Sequence, residues 1–128
     1  MALIRGFRDL EVYQLARREA GRVFQLSKKF PLEERYSLTD QIRRASRAVG
    51  GMIAEAWARR RYEAAFVNKL NEAQGEASET QAWLDHALDC GYITAAGHRH
   101  HDAAYQSIGA MLTRMIDRSE TFCHIPHS

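Results

Sequence analysis

FPLEERYSLTDQIRRASR, residues 30–47, packs a helix stop, a helix start and a run of arginines into one short stretch. Pro31 has no N–H to donate and disfavours the αR region at Phe30, so a helix arriving from the N-terminal side ends there. Ser37, with Asp40 three positions later, predicts the next N-cap as a capping-box variant, the acid facing the positive end of the helix dipole. Beyond it Leu38, Ile42, Ala45 and Val49 recur at helical spacing, while Arg43, Arg44 and Arg47 fall on the other side. A helix that buries one face and shows arginine on the other can bind a partner without catalysing anything.

Outward from this stretch, the same periodicity predicts four helices, over 9–29, 37–60, 63–89 and 94–120. In the first, Tyr13, Ala16, Ala20, Val23, Phe24 and Ser27 form a stripe, and Val12, Leu15 and Leu26 widen it to about half the circumference, where a helix facing only its own core needs roughly 100°. The surplus, Val12, Leu15 and Leu26, is expected to contact another subunit. In the second, Ile53 and Ala56 continue the inward row, and Gly50-Gly51 in its middle predicts a kink or a close helix–helix approach. The third carries Phe66, Leu70, Ala73, Ala77, Thr80, Leu84 and Leu88 inward and stops at Gly91, with Tyr92 as the accompanying apolar contact. Thr94 is the expected N-cap of the fourth, whose stripe is Ala104, Ile108, Met111, Leu112 and Met115. Pro126 lies in a short, frayed tail. Four long amphipathic helices on short connections imply an all-α, antiparallel up-down four-helix bundle, one domain over 1–128.

With 45% hydrophobic and 27% charged residues, the chain has the composition of an ordinary soluble globular protein. Its longest apolar run is far short of the ~20 residues of a membrane span, and MALIRGFRDLEVYQ lacks the apolar stretch and cleavage site of a signal peptide. Cys90 and Cys123 are too few for a disulfide framework, so a cytoplasmic location is expected. The net charge is only +2, but it is unevenly spread. Most of the basic residues lie in 1–61, whereas Glu63, Glu72, Glu76, Glu79, Asp85 and Asp89 make the third helix acidic. That asymmetry implies a charged binding surface or charge-matched subunits.

The segments FRDLEVYQLA (7–16), FPLEERYSLTDQIRRA (30–45), MIAEA (52–56), FVNKLNEAQGEASETQ (66–81) and CGYI (90–93) together resemble one family. It is the four-helix-bundle proteins encoded in intervening sequences of bacterial 23S rRNA genes, relatives of the accessory variability determinant proteins of diversity-generating retroelements. The resemblance covers about residues 7–120, and YSLTDQIRRA (36–45) is its most specific part. It implies a basic, barrel-like homopentameric ring of bundles, and in the retroelement members binding to nucleic acid and to a reverse transcriptase. The chain departs from the pattern where the family carries a proline-containing stretch before I-A-E-G. Here Ala48 to Met52 precede Ile53-Ala54-Glu55-Ala56, which implies a softer or shifted bend.

Arg43, Arg44, Arg47, Arg59, Arg60 and Arg61 are the candidate nucleic-acid-binding set, because arginine pairs bidentately with phosphate and a ring multiplies each copy. The competing reading is intersubunit ion pairing with Glu72, Glu76 and Glu79. Glu55 is expected to pair with Arg44 or Arg59. His98, His100 and His101, with His86 and Asp102, raise a metal site, since His98/His101 and His98/Asp102 have helical ligand spacing. The Glu-x-x-His pairs of a di-metal bundle are missing, and His101 falls near the apolar stripe beside Tyr105, so no metal or cofactor is expected. No Gly-rich phosphate loop, C-x-x-C pair or G-x-S-x-G elbow occurs. Tyr13, Tyr36, Trp57 and Trp83 are spaced as core or interface aromatics, not as a base-stacking platform. The expectation is a non-enzymatic accessory protein that binds RNA or DNA as a homo-oligomer, with a reverse transcriptase as a further partner. The alternative is a structural homo-oligomer with no nucleic-acid role.

Overall fold

The computed structural model describes residues 3–123, which are helical with no strand among them. α1 spans Glu11–Ser27, α2 Leu38–Ala58, α3 Glu63–Asp89, α4 Ala95–Asp117 and the short α5 Ser119–Cys123. The C-terminal tail with Pro126 lies outside the described residues. α1 starts later than residue 9 because Phe7–Asp9 forms a 3-10 turn and Leu10 is extended. The last predicted helix divides at Arg118, whose backbone leaves the helical region before α5 restarts.

Two helix ends follow the local signals read from the sequence, and a third does not. Gly91 at φ +76° closes α3 in a Schellman motif: Tyr92 N–H donates to the Ala87 carbonyl and Gly91 N–H to that of Leu88, both at 2.9 Å. Thr94 Oγ1 caps α4 by accepting from Gly97 N–H at 3.0 Å. The exception is Ser37. Its hydroxyl donates to Glu34 Oε1 at 2.6 Å and caps nothing, so the predicted capping box does not form. Glu34 also accepts from the Tyr92 hydroxyl at 2.8 Å, tying the α1–α2 connection to the α3–α4 turn. The hydrogen bonds from Ser37 and Tyr92 hold Glu34 below the usual carboxylate range, and the same carboxylate pushes Tyr92 up to about 12.

Contacts run from α1 to α2, α2 to α3, α3 to α4 and α4 back to α1, with α2–α3 the most extensive. Ala45, Ala56, Ala73 and Ala77 are buried on those two helices, and small side chains let helix axes approach closely. Around them Ile42, Val49, Ile53, Phe66, Leu70 and Leu84 meet Val23 of α1 and Tyr105, Ile108 and Leu112 of α4. Each such large apolar side chain contributes about 1.5–3 kcal/mol through burial. Leu10, Phe30 and Ile93, all outside the α-helices, close the core at its ends. Tyr105 and Ala87 take inward places that sequence periodicity assigned to Ala104 and Leu88, each one residue away.

α2 continues unbroken through Gly50-Gly51. Gly50 is buried, and a Cβ there would stand 3.5 Å from Tyr13 Cε1, in ordinary contact with α1, while a Cβ at the exposed Gly51 would meet nothing within 4 Å, so neither glycine breaks the helix. Val12, expected at a subunit interface, is 3% exposed and belongs to this chain's own core. Leu15 and Leu26 are half-buried at its margin, so the surplus apolar surface of α1 is narrower than the wheel implied. Among the described residues no helix is long and apolar enough to cross a membrane.

Candidate nucleic-acid interface

Arg43 and Arg47 lie one turn apart on α2, on the side that meets α1, and both guanidiniums sit over the Phe24 ring of α1, at 4.6 and 5.4 Å from its centroid. Lys28 covers the same ring at 4.9 Å. Each cation–aromatic contact contributes about 0.5–1 kcal/mol at an exposed site. Arg43 is fixed further: its Nε donates to Ser27 Oγ at 2.7 Å, and that hydroxyl donates to the Phe24 carbonyl at 3.0 Å. One ring thus gathers three positive charges from two helices. Sequence reasoning missed Phe24 and Lys28 as parts of this group, although Phe24 stood in the α1 stripe.

Arg44 points elsewhere, being 100° further round α2. It is 76% exposed and pairs with Asp40 at 3.0 Å, so part of its charge is answered locally. Such an exposed i,i+4 pair contributes only about 0.3–0.5 kcal/mol.

Arg59, Arg60 and Arg61 do not join this patch. α2 ends at Ala58, which places them in the connection to α3. At 1.5 Å per residue the twelve positions from Arg47 to Arg59 span about 18 Å. Arg60 is held over Trp57, 4.0 Å from the ring centroid, and its Nη1 donates to the Trp57 carbonyl at 2.9 Å. Arg59 and Arg61 are exposed. The six arginines therefore divide: Arg43 and Arg47 form one group in the N-terminal half of α2, Arg59, Arg60 and Arg61 a second just past its C-terminus, and Arg44 stands apart.

The acidic residues answer other partners. Glu55 pairs with Lys69 of α3 at 3.0 Å and not with Arg44 or Arg59. Lys69 also holds Glu72 at 2.8 Å. The Lys69 hydrogen bond lowers Glu55 below its usual range, and the two carboxylates, Glu72 first, raise Lys69. Glu76 is raised by burial and by the neighbouring charge of Glu79.

The largest departure from expectation is Glu19 on α1. Its side chain is 0% exposed, with Oε1 2.6 Å from Arg22 Nη1 and Oε2 3.3 Å from His101 Nδ1 on α4. Burial pushes its pKa up, but the hydrogen bonds and charges of His101 and Arg22 outweigh that and leave it lowered. Tyr105 is buried beside this group with its hydroxyl unpartnered, and burial together with the Glu19 charge raises it. His101 is therefore a packed histidine, as its position near the apolar stripe indicated. Glu19 itself falls between Ala16 and Val23 at helical spacing. That spacing was the available signal.

Fold and surface define a small all-helical protein with a buried carboxylate, Glu19, and separate groups of arginine on its surface. The model of the 23S rRNA-intervening sequence proteins matches residues 8–114, and the chain belongs to that family. Among solved structures it is similar to a protein of unknown function from the S23 ribosomal protein family of Bacteroides thetaiotaomicron. The two are 30% identical with a TM-score of 0.76, over 83% of this chain and 95% of that one. No curated protein matches.

Proposed function

We propose that this protein is a non-enzymatic, cytoplasmic accessory factor that binds RNA or DNA through clustered arginines on an oligomer of antiparallel four-helix bundles. The observation that carries the reading is the Arg43–Arg47–Lys28 group over Phe24, where cations are concentrated and, among the described residues, no carboxylate lies within ion-pair distance of them. Arg59, Arg60 and Arg61 supply a second cluster about 18 Å along α2, which corresponds to phosphates about five nucleotides apart at ~3.4 Å of rise per strand. A ring, a homopentamer by resemblance, repeats both clusters in every subunit. A reverse transcriptase is the further partner that the retroelement resemblance implies.

Phosphate contacts of this kind give affinity without sequence information. Each adds about 0.9 to the slope of log affinity against log salt on duplex DNA and about 0.7 on single strands. Changing Arg43 and Arg47 to Ala is expected to weaken binding to unrelated sequences about equally and to flatten that slope. A salt titration of wild type and double variant against structured RNA and duplex DNA measures both quantities. No binding by wild type at ~50 mM salt refutes the reading and leaves the structural homo-oligomer. The Asp40–Arg44 and Glu55–Lys69–Glu72 pairs favour that second reading, since they show charges answered within the chain.

A further inference from the structure

Two carboxylates converge on one imidazole where α3 faces α4. His98 Nε2 lies 2.7 Å from Asp85 Oδ1. Asp102, one turn beyond His98 on α4, brings a third donor, and one ligand atom from each residue lies within 4.8 Å of the other two. Among the described residues neither acid has a lysine or arginine within ion-pair distance. Asp102 is instead oriented by Gln81 of α3, whose Nε2 donates to Oδ1 at 3.1 Å and to the Asp102 carbonyl at 3.4 Å. Gln81 precedes Asp85 by one helical turn, so a single face of α3 supplies both a donor and the group that aims another.

We propose that Asp85, His98 and Asp102 form a site for a borderline first-row divalent cation, of the Zn2+ class, that ties α3 to α4. Two carboxylates and a neutral imidazole carry a charge of minus two, which matches a dication. A nitrogen ligand beside two oxygens selects Zn2+ and its neighbours over Mg2+ or Ca2+. With metal–ligand bonds of about 2.0–2.2 Å, tetrahedral donors stand about 3.3–3.5 Å apart. Coordination therefore moves the proton between His98 Nε2 and Asp85 to Nδ1 or to solvent, opens that contact by under about 1 Å and closes the longest donor separation by at most about 1.5 Å. Asp85 is exposed and free to make that adjustment. Gln81 plays the outer-shell role that fixes a ligating carboxylate. Three protein ligands leave one position open to water or to a ligand from solution. Sequence spacing found His98 and Asp102 but lacked Asp85, which only the packing of α3 on α4 supplies.

The test is titration of the chelator-stripped full chain with Zn2+ against a chromophoric competitor, with Co2+ absorption reporting coordination geometry. One saturable equivalent per chain is expected, with a Tm increase of roughly 10 °C when free metal is a hundredfold above Kd. His98→Ala and Asp102→Asn should each weaken binding more than tenfold, and Gln81→Ala about tenfold. His86→Ala and His100→Ala should leave it unchanged. Circular dichroism of each variant checks that wild-type helicity is kept. Absence of a stoichiometric site, or binding unchanged in both His98→Ala and Asp102→Asn, overturns the proposal. Equal affinity for Mg2+ overturns the choice of cation class.

Discussion

Truncating Glu19 to Ala should be the most destabilising single change at a charged residue of this protein. Its carboxylate is fully buried and accepts from Arg22 at 2.6 Å and from His101 at 3.3 Å. Alanine leaves a cavity and strands a buried imidazole nitrogen, which costs about 1–3 kcal/mol on its own. Arg22 is 48% exposed and regains water readily, so its loss of partner adds less than a fully buried charge would. The total is about 3 kcal/mol, equivalent to a Tm lowered by roughly 12 °C in a domain of this size. Glu19→Gln keeps the shape and one acceptor and should cost about 1 kcal/mol at neutral pH. The two proteins should also differ in pH response. Because the folded Glu19 pKa is depressed from 4.5, its contribution is complete above that value and is lost as pH falls through the folded pKa. The stability gap between wild type and Glu19→Gln should therefore hold above pH 4.5 and narrow as pH falls below it. Urea melts above and below that value provide the assay. A cost below ~1 kcal/mol for Glu19→Ala, or a gap to Glu19→Gln that does not vary with pH, refutes the account.

Gly91→Ala should lower stability by about 1 kcal/mol, because φ +76° is strained for any side chain even though a Cβ there meets nothing within 4 Å; thermal melts check it, and an unchanged Tm counts against the Schellman cap. Leu15→Glu should dissociate the proposed oligomer while leaving helicity nearly intact, since Leu15 lies at the margin of the core. Sedimentation equilibrium measures this, and a wild type that is monomeric at micromolar concentration removes the oligomer altogether.

Local signals carried the helices far into the sequence: Thr94 and Gly91 act on backbone groups within a few residues, and 3.6-residue periodicity named most of the α2 and α3 core. The failures are all competitions between distant or alternative partners. Ser37 has the composition of a capping box, but Glu34 takes its hydroxyl first. Glu19 is tolerable in the core only because His101 arrives from a helix 82 positions away, a pairing no window of sequence contains. Val12 and Leu26 look equivalent on a wheel, yet Val12 is fully in the core and Leu26 only at its margin, since the direction of α1 is set by its contacts with α2 and α4. The arginines read as one surface because sequence proximity hides the length of the helix between them.

The aromatic ring under Arg43, Arg47 and Lys28 also bears on the timing of entropy loss. Arginine and lysine side chains each carry up to ~2 kcal/mol of rotamer freedom, which a flexible cation surrenders when it meets its ligand. Here Phe24 and Ser27 already confine the guanidinium of Arg43, and Phe24 confines that of Arg47. That loss occurs during folding. An anion arriving at this end of α2 meets charges that are already ordered, whereas Arg59 and Arg61 at the other end still have their ordering ahead of them.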